Sequence, residues 1–231
     1  MKRIQALILN KPFKPEELSW RISHTTEKEE GKPQSLYLAY VEARDVQDRL
    51  DEAFGKHNWK AEYSFVGNRI MCKIGARVDG EWIFKEDGAG ETAIEGEKGG
   101  LSDAFKRAGV VWGINRAAYS LENCWAKSTK YKTKSGKITY YPADNIKSIM
   151  AAVLNEKNKH YLEEIERHEE QIKAIKQKQR KKREIDLVKT LYMQYLTKNF
   201  EETLPLEYDK AKEMTVEEMI EVLTNKKFET E

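Results

Sequence analysis

Long apolar stretches are missing from this sequence. No run approaches the roughly 18 residues that a membrane-spanning helix needs, so we expect no membrane partner. The N-terminus, MKRIQALILNKPF, lacks the sustained apolar region and the small-residue cleavage site of a signal peptide. The chain has two cysteines, Cys72 and Cys124, which suits a reducing compartment better than a disulfide-stabilised scaffold. We therefore expect a soluble, cytoplasmic protein.

Signatures of catalysis and cofactor binding are equally scarce. The segment Gly88-Ala89-Gly90 has the spacing of neither a phosphate loop nor a dinucleotide site. We interpret it as a tight turn between a strand and a helix. The four histidines show no metal-ligand spacing, and neither Ser102 nor Cys124 has a partnered histidine in a local signature. The sequence thus predicts no catalytic residue, no metal and no cofactor.

The charges are balanced overall but unevenly distributed. The chain has 41 lysines and arginines against 39 acids, for a net charge of +2. Residues 200–231 hold ten acids and four lysines, a net charge of −6, which leaves +8 on residues 1–199. A basic body with an acidic end is compatible with a nucleic-acid partner.

Composition predicts three regions. All five tryptophans lie before residue 126 and no glycine follows Gly136, whereas residues 155–190 are almost continuously charged. We expect a domain over residues 1–150, a charged helix or linker over 151–184, and a small acidic helical region over 185–231. Thr215 and Glu218 form a capping-box pattern that predicts the start of the last helix.

The first region has the pattern of a helix, three strands and a second helix. Residues 42–54 carry an apolar helical face that Gly55 can end. Alternating residues predict strands over 60–65, 69–78 and 82–84, with two-residue turns at Gly67-Asn68 and Asp79-Gly80. The predicted fold class is α+β: an antiparallel three-stranded β-meander packed on helices, followed by a helical C-terminal region.

Two basic features point to nucleic acid. Lys106 and Arg107 project from the second helix away from its apolar face, with Lys98 about two turns earlier and Arg116 just beyond. Residues 126–143 contain five lysines interleaved with tyrosines and no acid. Cations that follow a phosphate backbone, with rings that stack on bases, are typical of single-strand binding. The candidate residues of this segment are Lys127, Lys130 and Lys132, and an ordinary lysine-rich surface loop is the alternative.

Several segments together resemble the annealing domain of the Rad52/Rad22 recombination proteins, and most closely the short versions carried by bacteriophages and related mobile elements. The resemblance covers roughly residues 8–125. The segments are PF at 12–13, LSWRI at 18–22, YVEAR at 40–44, DEAFGKHNW at 51–59, KEDGAG at 85–90, KGGLSDAFKRA at 98–108 and WG at 112–113.

The resemblance implies a β-β-β-α core that assembles into rings, binds single-stranded DNA in a groove and anneals complementary strands without ATP, in the host bacterial cytoplasm. Lys106 and Arg107 match a basic pair that contacts the DNA backbone. Arg21, Tyr40 and Lys98 match positions near the same site. Eukaryotic relatives have an arginine where this chain has Val110, so Arg116 or the lysines of 126–143 are candidates to replace that charge.

The resemblance leaves alternatives open. Glu86, Asp87 and Glu91 would be the ligands of a metal-dependent nuclease, and the protein would otherwise be a non-annealing accessory binder or an annealing protein of the RecT type. Residues 185–231 either dock a single-strand binding protein or replication factor, or pack on a neighbouring copy. The basic segment 177–183 is interpreted as the polar face of an exposed helix, with a second DNA contact as the alternative.

Overall fold

The computed structural model describes residues 1–90, 96–142, 145–199 and 204–225. They form two compact units, Met1–Ile172 and Lys173–Glu231. The helices are α1 (Arg3–Asn10), α2 (Ala43–Phe54), α3 (Gly96–Trp112), α4 (Asn145–Val153), α5 (Lys159–Asn199), α6 (Leu204–Glu213) and α7 (Val216–Asn225). The strands are β1 (Ser19–Thr26), β2 (Gln34–Tyr40), β3 (Trp59–Val66), β4 (Arg69–Val78), β5 (Glu81–Gly90), β6 (Cys124–Lys132) and β7 (Ile138–Pro142). The predicted α+β class is confirmed.

The predicted meander is the three-stranded antiparallel sheet β3-β4-β5. Asp79 and Gly80 both have positive φ, 51° and 97°, as a type I′ turn requires between paired residues Val78 and Glu81. At the other hairpin Gly67 alone has positive φ, the pattern of a type II′ turn. Both hairpins are therefore encoded locally by the turn residues.

The prediction of a turn at residues 88–90 is wrong, because β5 continues through Gly90. Gly88 lies opposite Met71, and Gly90 lies opposite Arg69. A Cβ atom on Gly88 would lie only 2.3 Å from the Met71 sulfur. Within the sheet the glycine leaves room for the neighbouring Met71 side chain, and it is not the site of a chain reversal.

Helix α3 packs its apolar face on this sheet. Ala104, Phe105, Ala108 and Trp112 are buried, and the Trp112 indole donates a 3.1 Å hydrogen bond to the carbonyl of Ile74 on β4. The remaining face of α3 is polar and is held in a fixed orientation by this packing. The predicted division of the helix into a core face and a cationic face is therefore confirmed.

A second, four-stranded antiparallel sheet has the order β1-β2-β6-β7 and was not predicted. Its inner face buries Tyr37, Cys124 and Ala126 against α4. Strands β6 and β7 form a hairpin whose tip contains Gly136 at φ 82°. The central contact joins β2 to β6, two strands separated by some 90 residues of sequence.

A buried arginine ties α1 to α2. Arg49 is 5% exposed, its guanidinium donates to the carbonyls of Ile8 (3.0 Å) and Lys11, and it lies 4.0 Å from the centre of the Phe13 ring. Burial holds the pKa of Arg49 below its usual value. The Ile8 carbonyl also accepts a long 3.4 Å bond from the Lys11 amide, so Arg49 reinforces the end of α1 as a side-chain cap.

The first part of α5 belongs to the core of the first unit. Tyr161, Ile165 and Ile172 are buried there, and the Tyr161 hydroxyl donates a 2.7 Å hydrogen bond to the Phe13 carbonyl. Just before α5, the fully buried Asn158 side chain donates to the carbonyl of Glu122 and accepts from its amide. The apolar residues at helical spacing thus mark a packed stripe on an otherwise charged helix.

The second unit is helical. Its buried cluster comprises Tyr192 and Leu196 of α5, Ala211 of α6 and Met219 of α7. At the start of α7 the Thr215 hydroxyl accepts from the Glu218 amide while the Glu218 carboxylate accepts from the Thr215 amide, which confirms the predicted capping box. Within the described residues, none of the helices combines the length and apolar character required to cross a membrane.

Candidate nucleic-acid interface

A groove of about 660 Å³ is lined by α3, by the segment that follows it and by the four-stranded sheet, including residues of the outer face of that sheet. We define this outer face by the residues that point away from buried Tyr37 and Cys124, and it carries Arg21, His24, Leu36, Leu38, Tyr40, Trp125 and Lys127. The basic groove, as we call it, is lined by Arg21, Leu38, Tyr40, Lys106, Arg107 and Val110. It therefore brings together four of the nine residues singled out in the sequence.

The contacts in the basic groove place cations beside a ring. The Lys106 ammonium lies 5.6 Å from the centre of the Tyr40 ring, within cation–π distance. Arg21 is exposed on β1 and pairs across the sheet with Leu38, next to Tyr40 on the same face. A phosphodiester in this groove would meet Lys106, Arg107 and Arg21, and a base would meet Tyr40.

Each cation of the α3 pair already has a carboxylate nearby. The Arg107 guanidinium lies 3.2 Å from the Asp87 carboxylate, and the Lys106 ammonium lies 3.9 Å from that of Asp103. The Asp87 carboxylate also accepts a 2.7 Å hydrogen bond from the Gly88 amide, which fixes its position. The Arg107 and Asp87 side chains are 49% and 33% exposed, so incoming phosphate can compete for the guanidinium.

Two cations stabilise the C-terminal end of α3. Lys85 donates to the Val111 carbonyl at 3.1 Å, and Arg116 donates to the Val110 carbonyl at 3.0 Å. Positive charge at a helix C-terminus is stabilising because the last carbonyls have no helical donors. Arg116 thus lies beside the backbone of Val110, and its side chain is exposed.

The predicted lysines of 126–143 do not gather at the basic groove. Alternation along β6 places Lys127 on the outer face and Lys130 and Lys132 on the inner side, beyond the buried part of the strand. Lys130 pairs with Glu27 at 3.0 Å, which lowers the pKa of that carboxyl. The backbone of Lys98 lies in α3, and its side chain lies outside the described residues.

The carboxylates of the nuclease alternative do not form a pair. Glu86 and Asp87 are consecutive residues of β5, so their side chains point to opposite faces of the sheet, and Asp87 bonds to Arg107. Glu91 lies outside the described residues. In the part of the chain that the structure describes, no three histidine, cysteine, aspartate or glutamate side chains group as metal ligands.

Two groove residues carried no signal in the sequence. Tyr119 lines the groove and is 74% exposed, and Asn115 lines it in the left-handed conformation at φ 60°. The Asn115 amide oxygen is the buried side-chain atom without a hydrogen-bond partner among the described residues. Neither residue belongs to a charged or periodic pattern, so sequence reasoning missed both.

The first part of the chain is similar in sequence to known proteins. A sequence model of the Rad52/22 family of double-strand break repair proteins matches residues 1–137. Single-stranded DNA-binding protein DdrA of Deinococcus radiodurans is 34% identical over 127 residues, which make up 54% of this chain and 57% of that protein. The DdrA protein of Deinococcus deserti is 35% identical over 128 residues, covering 54% and 58%.

The chain thus spans little more than half the length of these curated relatives. No solved structure matches it. The segment matched by the family includes the meander, α3, β1, β2 and β6, and so every residue that lines the basic groove. Because the match covers more than half of the sequence, this chain belongs to the Rad52/22 family of double-strand break repair proteins.

Proposed function

We propose that this protein binds single-stranded DNA in the basic groove and anneals complementary strands without ATP during repair by homologous recombination. The observation that carries the proposal is the convergence of Lys106, Arg107 and Arg21 around Tyr40, on elements from three parts of the chain. The names of the Deinococcus relatives support a single-stranded DNA ligand.

The proposed mechanism is physical and not covalent. Contacts with phosphates supply affinity without sequence preference, because every nucleotide carries the same charge. A strand held by its backbone keeps its base edges available for a complementary strand. Annealing breaks no covalent bond, so the protein acts by bringing two strands together and needs no general acid or base.

We propose that the working form is a homo-oligomer, either a ring or a helical filament. Exposed aromatic and apolar side chains on the three-stranded sheet support self-association, since a lone soluble domain rarely exposes several together. Phe65 is 65% exposed, Val66 62%, Phe84 42% and Trp82 37%. An array of weak groove sites would bind a long strand tightly through effective concentration.

For residues 185–231 we propose a docking role toward a single-strand binding protein or a replication factor. Leu187, Leu191 and Ile220 are 58%, 45% and 45% exposed on the second unit, next to a strongly acidic sequence. The N-terminal motifs at residues 12–22 support an origin in a bacteriophage or mobile element, with action in the host bacterial cytoplasm.

The test replaces Lys106 and Arg107 by alanine and measures binding of labelled single strands by fluorescence anisotropy at several salt concentrations. We expect weaker binding and slower annealing, with the salt slope reduced by about 0.7 for each phosphate that the variant no longer neutralises. Lys2 and Arg3, a consecutive pair exposed at the start of α1 in the same unit, provide the matched control. Unchanged binding, or an equal weakening in the Lys2→Ala/Arg3→Ala control, would contradict the assignment, and sedimentation should show unaltered assembly.

A further inference from the structure

A second cavity, of about 1060 Å³, lies on the same side of the four-stranded sheet as the basic groove. The hairpin cavity, as we call it, is lined by His24, Thr26, Lys28, Lys32, Trp125 and Lys127, together with Glu29 and other residues of the β1–β2 connection. None of these residues except Lys127 was a candidate from the sequence. We propose that the hairpin cavity binds the continuation of the DNA strand that occupies the basic groove, which rests on the function proposed above.

The first argument is continuity. Leu36 lines the basic groove, and its cross-strand neighbours on the outer face are His24 and Trp125, which line the hairpin cavity. The two recesses therefore meet along one row of the sheet. From Tyr40 to Gln34 the floor extends six residues along β2, or about 20 Å at the usual rise of a strand. That length accommodates several nucleotides of an extended strand.

The second argument is charge. Lys28, Lys32 and Lys127 line the hairpin cavity together with one acid, Glu29, which pairs with Lys32 at 2.5 Å. Among the described residues, the ammonium groups of Lys28 and Lys127 have no ion-pair partner. Such unpaired cations on either side of a recess can neutralise consecutive phosphates, as in grooves that follow a single-stranded backbone.

The third argument is the chemistry of the cavity wall. The Trp125 and His24 rings meet edge to face at 6.1 Å, and Trp125 is half-buried, so its ring is held in place while part of it faces the cavity. A fixed indole offers a stacking surface to any base. Thr26, Gln34 and Thr129 add hydroxyl and amide groups that can bond to phosphate or sugar.

The experiment measures affinity as a function of strand length. Oligothymidylates of increasing length are titrated against the full-length protein and its Lys28→Glu/Lys127→Glu variant at fixed salt. We expect the affinity for the shortest strands, which fill only the basic groove, to fall less than about twofold, and that for longer strands to fall roughly tenfold. Lys2→Glu/Lys56→Glu, at two exposed positions of the same unit that line neither recess, is the control with the same charge change.

A Trp125→Leu variant tests stacking separately from charge. Wild-type protein should bind a long strand less tightly when abasic sites replace its bases, and the variant should be less sensitive to that change, with Tyr40 in the basic groove still offering its ring to a base. The inference is overturned if the charge-reversal variant binds strands of every length as tightly as the wild-type protein, or if its affinity falls by the same factor at every length. It is also overturned if the control variant shows the same length dependence, or if sedimentation shows that the charge-reversal variant assembles differently. Failure of the wild-type protein to bind any single strand would instead refute the proposed function itself.

Discussion

Removing the acidic partner of the Asp87–Arg107 ion pair should strengthen DNA binding, whereas removing the cations should weaken it. The Asp87 carboxylate is paired with the Arg107 guanidinium that we propose to contact DNA. A DNA phosphate must therefore displace this carboxylate or share the guanidinium with it. Replacing Asp87 by asparagine removes the competing charge and keeps the shape of the side chain. The asparagine oxygen can still accept the hydrogen bond that the Gly88 amide donates, so the strand geometry should be retained. We therefore expect Asp87→Asn to tighten binding of single-stranded DNA.

The size of the effect follows from the exposure of the pair. With side chains 49% and 33% exposed and 3.2 Å apart, the ion pair is of the partly solvated kind, which contributes about 0.2–1 kcal/mol. Relieving that competition should improve the affinity of each groove roughly 1.4- to 5-fold. The gain should be largest at low salt, because screening weakens the interaction in both states.

The assay is a double-mutant cycle in anisotropy titrations. Asp87→Asn is measured with Arg107 present and again in an Arg107→Ala background, where no gain should remain if the effect passes through the guanidinium. Glu86→Gln removes the same charge from the neighbouring exposed position, on the opposite face of β5, and should change little. Weaker binding by Asp87→Asn, or an equal gain without Arg107, would refute the reasoning.

The remaining predictions concern the first unit. Arg49→Leu removes the guanidinium that donates to two helix-end carbonyls and should lower the free energy of unfolding by about 2–3 kcal/mol in urea titrations, whereas Arg44→Leu on the exposed side of α2 should not. Asn158→Ala removes both bonds to the loop before β6 and should cost about 2 kcal/mol; an unchanged melting temperature would contradict that role. Burial raises the pKa of Cys72 and Cys124 to about 11, so both thiols should react with a disulfide reagent at pH 8 only after unfolding.

Local sequence was sufficient for the elements whose side chains alternate or repeat regularly. The meander, its Asp79-Gly80 turn, helix α2 and the two faces of α3 all follow from short-range periodicity and turn chemistry. The capping box at Thr215 is similarly local. In each case the residues that determine the structure lie within a few positions of one another, so no knowledge of distant contacts is needed.

The four-stranded sheet could not be predicted in this way. Strand β1 lacks a strict alternation and contains an irregularity between Ile22 and His24, and β2 pairs with β6 across some 90 residues. Long-range pairing depends on burial against α4, which a local pattern does not record. The same limit explains the mistaken turn at Gly88, since the space beside that glycine is occupied by Met71 of the adjacent strand, which a local pattern does not reveal.

The candidate site, like the fold, was determined partly by local sequence and partly by tertiary structure. The sequence by itself determined that Lys106 and Arg107 form the polar face of a helix, because their neighbours at helical spacing are apolar. Resemblance to relatives suggested Arg21 and Tyr40, but only the tertiary structure decided that they lie opposite that face. It did so through strand register: pairing β1 with β2, and β2 with β6, fixes which side chains share the outer face and line the basic groove.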